Sequence, residues 1–186
     1  EAVQTLRASD DAEVLPEVDL QPPARATGRR LVFVDKPDRK QCQVLMGHAL
    51  PAYGSEAFDT LRVAETAFGG MFTSRLMQEI RAKQGWSYGA HASMIRAKGP
   101  HLLQMGLAPA VDVCAKAVAR TMEMFDELVS DGLREEEFEF ARSYLTGSAA
   151  FGRATPRQRL FRQVQERVFE LPEGFENAFP DRIAAL

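Results

Sequence analysis

Polar and apolar positions alternate through "KQCQVLMGHAL", residues 40–50. Cys42, Val44, Met46 and His48 share one face, and Gln41, Gln43, Leu45 and Gly47 the other. A period of two is that of a half-buried strand. The preceding "RRLVFVDKP" is a short apolar run stopped by Pro37 and predicts a strand of its own. After the turn residues of "PAYGSE" the period changes. From Glu56 onward Phe58, Leu61, Ala64, Glu65 and Phe68 recur at helical spacing, and Gly69 and Gly70 are expected to end that helix by adopting positive φ. A second helix is predicted over residues 74–84, with Leu76, Met77 and Ile80 as its apolar stripe, Lys83 in the last turn and Gly85 just past the end. "WSYGAHASMIR", "KGP" and "HLLQMGLAP" then read as strand, turn and strand, an antiparallel hairpin.

The rest of the chain is helical in pattern. "VDVCAKAVARTMEMFDELVSDG" places Val118, Met122, Phe125 and Val129 along one stripe and stops at Gly132. "REEEFEFARSYLTGSAAFGR" sets Phe138, Ala141 and Leu145 on one side. "TPRQRLFRQVQERVFELP" opens with a start signal, Thr155 as N-cap, Pro156 at the first helical position and Gln158 completing a capping box, and Pro172 ends it. The order β-β-α-α-β-β-α-α-α predicts an α+β fold: a mixed, largely antiparallel sheet covered on one face by helices.

Residues 1–28 differ, being acidic and then Pro/Ala-rich, and are read as a linker or extended arm before a domain at 29–186. The chain lacks an initiator Met, and "FPDRIAAL" begins a new apolar pattern that stops at once. Both features predict an excerpt of a longer product, with the domain truncated before its last helix. No signal peptide is read in "EAVQTLRASD", and no apolar run approaches the roughly 20 residues of a membrane span.

The net charge of −3 excludes a binder of nucleic acid that relies on a broad basic face. Cys42 and Cys114 lack Cys-x-x-Cys spacing and read as two buried small apolar residues. His48, His91 and His101 form no metal-ligand motif; His91 and His101 could at most face each other across the hairpin as two ligands. There is no Gly-x-Ser-x-Gly and no phosphate loop, and the acidic run 135–137 sits where a helix starts and its dipole favours anions. No catalytic residue and no metal site is therefore predicted within this chain.

The stretch "FGGMFTSRLMQEIRAKQGWSYGAHASM" nevertheless holds a long specific pattern: Gly69 and Gly70, then Ser74, Arg75, Leu76, then Glu79, Ile80, Arg81, then Gly85, Trp86 and Tyr88. It resembles the signature of the C-terminal, non-zinc half of the insulinase or pitrilysin type (M16) zinc metallopeptidases, a group that includes mitochondrial processing peptidase, and the resemblance covers roughly residues 29–186. The resemblance implies two homologous halves facing each other across a chamber. One half carries His-x-x-Glu-His and zinc; the other supplies an arginine and a tyrosine seven residues apart to an extended peptide, here Arg81 and Tyr88. It implies zinc in the partner domain or subunit, no zinc here, and a chain inactive alone. The alternative within the same fold is a non-catalytic structural or assembly subunit. Bacterial relatives with this wording are often exported, so a periplasmic location is the expectation.

Physical chemistry agrees with those roles. A guanidinium binds substrate carbonyls, a phenol donates to a carbonyl oxygen, and a sheet edge can add main-chain bonds to an extended peptide. Taken singly, a helical arginine is usually a surface charge and a strand tyrosine a half-buried amphipath. Arg75 is read as structural, paired with Glu79 four residues on, and Trp86 as packing.

Overall fold

The computed structural model describes residues 28–97 and 100–186; apart from Gly28, the arm read at 1–28 lies outside the described residues, as do residues 98–99 at the hairpin tip. Three antiparallel strands, β1 (Val44–Ala52), β2 (Ser87–Ile95) and β3 (Pro100–Pro109), form a sheet in the order β1-β3-β2. Between β1 and β2 run α1 (Phe58–Glu65), a π-helical turn that continues it (Thr66–Gly70), and a second π-helical segment (Met77–Lys83). After β3 come α2 (Cys114–Asp131), α3 (Glu135–Ser148), α4 (Pro156–Val168) and α5 (Phe179–Ala184). The fold is α+β, as the alternation of periods predicts.

Strand β3 is central, so its two edges bond to β1 (Met46 opposite Met105) and to β2 (Ala92 opposite Met105). Its apolar positions Leu103, Met105 and Leu107 are buried with Ala90 and Ala92 of β2 against Phe68, Leu76 and Ile80 and against Ala117 and Met124 of α2. A second cluster joins Val63 and Ala67 to Ala141 and Leu145 of α3 and Ile183 of α5. The stripes predicted at Leu76/Ile80 and Ala141/Leu145 are buried, and Thr155 caps α4 reciprocally: its hydroxyl accepts from Gln158 N–H at 3.2 Å while Gln158 Oε1 accepts from Thr155 N–H at 3.0 Å.

Local pattern failed where long-range geometry decides. Leu31, Val32, Phe33 and Val34 form no strand and stand 69–87% exposed. An apolar run becomes a strand only where a neighbouring backbone takes its hydrogen bonds, and among the described residues none does. In α2 the buried line is Ala117, Thr121 and Met124, one step round from the predicted stripe, whose Val129 is 72% exposed. Gly69 and Gly70 do not have positive φ. Gly69 is needed for close approach: a Cβ there would lie 2.3 Å from the Ala92 backbone nitrogen of β2. Gly132 does end α2 at φ +77°.

The remaining sequence assignments also shift. His91 lies opposite Gly106 and His101 opposite Leu50, so the two imidazoles do not face each other. His101 is buried among the rings of Tyr53 and Phe58, and burial, with Arg96 adding to it, pulls its pKa down. Cys42 and Cys114 are half-buried and close enough for a thiol–thiol hydrogen bond that, with burial, pushes the Cys114 thiol up to about 11. Arg75 is structural, but its partner is not Glu79. Its Nε donates to Glu137 at 2.7 Å and its Nη2 to the Gly132 carbonyl at 2.9 Å, tying the second π-helical segment to the α2–α3 turn.

Candidate functional site

Both residues singled out from the sequence come together at the start of the hairpin. Arg81 lies in the π-helical segment Met77–Lys83 and Tyr88 at the beginning of β2. The segment turns sharply at Gly85, whose φ of +65° is the left-handed conformation that glycine adopts without strain. Gly85 N–H donates to the Arg81 carbonyl at 3.1 Å and Trp86 N–H to the Ile80 carbonyl at 3.0 Å. Each bond spans one residue more than in a Schellman end, which is how a π-wound segment closes. Trp86 then packs, half-buried, against the core, as its packing role requires.

Tyr88 points outward because β2 is irregular there. Ser87 pairs with Pro109 and Ala90 with Leu107, so three steps on β2 match two on β3. That extra residue is a β-bulge, which re-aims side chains. With strict alternation Tyr88 would share the face of Ala90 and Ala92, both buried; with the bulge it is 83% exposed. The bulge is held by Ser87, whose hydroxyl accepts from Ala108 N–H at 3.0 Å and donates to the Gly89 carbonyl at 2.6 Å.

The Arg81 guanidinium carbon lies over the Tyr88 ring, 4.7 Å from its centroid, and over the Phe72 ring at 4.8 Å. Phe72, from the loop between the two π-helical segments, is 69% exposed. Among the described residues Arg81 has no carboxylate partner. The nearby Glu79 is engaged elsewhere, accepting from Gln84 at 2.9 Å and Lys83 at 3.1 Å and lying 3.6 Å from Arg120. The Gln84 bond is the chief reason its pKa is lowered. Arg81 is thus a half-buried cation whose charge is held by two rings and whose N–H donors remain for a ligand.

The sequence reading missed Phe72. Its only signal in the sequence is its place in the turn-forming stretch "GGMFTS", a loop whose path toward Arg81 no helical or strand period gives. A cavity of about 850 Å³ lies elsewhere, between the sheet and helices, lined by His48, Phe68, Phe125, Leu128 and Phe138 among others and by none of Phe72, Arg81 and Tyr88. Among the described residues no group of three or more His, Cys, Asp or Glu could hold a metal, so the side chains present do not fit a zinc ion. Among them, too, no helix is long and apolar enough to cross a membrane.

Comparison with known proteins supplies the context. An "Uncharacterized zinc protease" of Mycobacterium tuberculosis (strain ATCC 25618 / H37Rv) is 29% identical over 145 residues, covering 75% of this chain and 33% of the relative. A "Non-peptidase homolog", YmxG of Helicobacter pylori (strain ATCC 700392 / 26695), is 26% identical over 122 residues, covering 66% of this chain and 28% of the relative. The chain therefore spans about a third of the length of the curated relatives it matches. In fold it is similar to a crystal structure of a peptidase M16 inactive domain from Pseudomonas fluorescens, with TM-score 0.70 and 18% identity over 78% of this chain and 35% of that one. The family described as "Peptidase M16 inactive domain" matches residues 5–145, most of the chain, and the chain belongs to that family.

Proposed function

We propose that this chain is the non-zinc half of a zinc metalloendopeptidase, holding an extended peptide opposite the zinc site of a homologous domain or subunit. The observation that carries this reading is the pairing of Arg81 with Tyr88: an exposed phenol beside a guanidinium whose charge no carboxylate in the described chain neutralises. Arg81 would donate to carbonyl oxygens of the peptide through its in-plane N–H groups. Tyr88 would donate its hydroxyl to a neighbouring carbonyl oxygen. Both act by fixing the peptide, because neither side chain is a nucleophile here. A fixed peptide is what a cleavage step on the opposite wall requires.

The family assignment supports the division of labour. A second reading has one observation in its favour: a relative bears the name "Non-peptidase homolog". On that reading the chain is a structural or assembly subunit of the same fold.

One experiment separates the two. This chain is combined with its homologous zinc-bearing half, and cleavage of a quenched fluorescent peptide is followed. Arg81→Ala and Tyr88→Phe each reduce kcat/KM at least tenfold if the side chains hold substrate. Full activity in both variants rejects the peptide-holding role, and absence of cleavage in every combination favours the structural subunit.

A further inference from the structure

The arrangement around Arg81 contains more than the arginine and tyrosine. Phe72 and Tyr88 are two large aromatic side chains, 69% and 83% exposed, that approach the same guanidinium from different elements. Phe72 belongs to the loop after the π-helical turn Thr66–Gly70, a turn packed directly on β2 at Gly69 and Ala92. The backbone between Gly69 and Ser74 is thus anchored at both ends, by Gly69 against Ala92 and by the buried Ser74 and Leu76. Its one aromatic side chain turns a face to Arg81 and leaves the rest of the ring in solvent.

We infer that Phe72 is a positioning and specificity-determining residue of the peptide-holding site. It holds the Arg81 guanidinium beside Tyr88, and its exposed ring forms, with Tyr88, an apolar subsite for a large apolar side chain adjacent to the carbonyl that Arg81 holds. The inference rests on the peptide-holding reading above. Two physical arguments support it. An arginine loses rotamer freedom when it binds, so a side chain already ordered by two rings binds its ligand at lower entropic cost. And two neighbouring aromatic rings that share one guanidinium and leave most of their surface exposed mark a contact surface. The ligand class follows: an extended peptide with a bulky apolar residue. The rings offer nothing to an acidic side chain beyond Arg81 itself.

The test uses the 186-residue chain and two acetylated, amidated decapeptides that differ at one central position, Phe or Ser. Binding is titrated by NMR, with the Arg81 side-chain Nε–H signal followed in the free protein. Phe72→Ala is expected to weaken the Phe peptide about tenfold, to bring it level with the Ser peptide, and to move the Arg81 Nε–H signal toward that of a free arginine. Phe72→Tyr is expected to restore both affinity and signal, which a merely structural loss would not do. Phe72→Leu, which retains bulk but lacks a ring face, serves if the alanine variant misfolds, and is expected to lose the Arg81 signal shift. If Arg81→Ala weakens binding but no Phe72 variant does, the inference fails and the peptide-holding reading stands. If neither weakens binding, both fall. A preference for a peptide with Asp at the central position overturns the apolar subsite.

Discussion

Neutralising Glu137 is the most direct measure of how the site-bearing segment is fastened to the body of the protein. Glu137 accepts from Arg75 Nε at 2.7 Å and from the Arg134 backbone and side chain, each at 3.0 Å. Its side chain is 15% exposed and that of Arg75 is 18%. Burial pushes its pKa up, but the bonds from Arg75 and Arg134 outweigh burial and hold the carboxyl down at about 2, against an ordinary 4.5. At about 1.4 kcal/mol per pH unit, that depression would be worth ~3 kcal/mol. Water reaches the network through Arg134, whose side chain is 75% exposed. The screened value is therefore about 2 kcal/mol. Glu137→Gln keeps the shape and still accepts one bond, so the loss reports the charge. The sign follows from linkage: a depressed folded-state pKa stabilises above the unfolded pKa and is lost as pH falls through the folded one. We expect Glu137→Gln to lower the unfolding free energy by about 2 kcal/mol at pH 7. That corresponds to a Tm lower by about 4–8 °C for a chain of this size. At pH 3, less than half of the difference is expected to remain. Urea denaturation followed by far-UV circular dichroism at both pH values is the assay. An equal loss at pH 7 and pH 3 would refute the electrostatic account and assign the effect to packing. A loss under about 0.5 kcal/mol at pH 7 would show the pair to be solvated.

Two further outcomes test the geometry near the sheet. Ser87→Ala leaves the Ala108 N–H without its side-chain acceptor and is expected to cost about 1–2 kcal/mol and to speed amide exchange at Ala108; unchanged exchange there would mean that the bulge does not depend on Ser87. Cys114, with its thiol pushed up to about 11 by burial and by Cys42, is expected to react with iodoacetamide at pH 8 roughly tenfold more slowly than an unfolded cysteine, the scarcer thiolate being partly offset by its greater nucleophilicity, and faster once Cys42→Ala removes the hydrogen bond; mass spectrometry of quenched samples gives the rates, and alkylation at the unfolded rate contradicts the placement.

Much of the site was legible in the sequence, for local reasons. Gly85 and Gly132 were identified as helix ends because positive φ belongs to glycine, and both have it. The Thr155 capping box was identified because its partners lie three residues apart, within reach of any helix that starts there. Arg81 and Tyr88 stand out only through the resemblance to the M16 family, since each taken singly reads as structural, and the turn at Gly85 brings them together.

Alternation and helical period set the α+β class and the hairpin of β2 and β3, because the rules that form a strand or a helix act over four residues or fewer. The tertiary structure alone decided the rest. Arg75 pairs 62 residues away with Glu137 rather than four away with Glu79, because a half-buried carboxylate in the first turn of α3 offers two oxygens where Glu79 is already engaged. Residues 31–34 have strand composition but no strand, since pairing needs a second backbone. An extra residue in β2 turned Tyr88 outward, and a glycine pressed against Ala92 placed the loop that carries Phe72 over Arg81. Each of these depends on where a distant part of the chain comes to lie, which no periodicity along a single segment encodes.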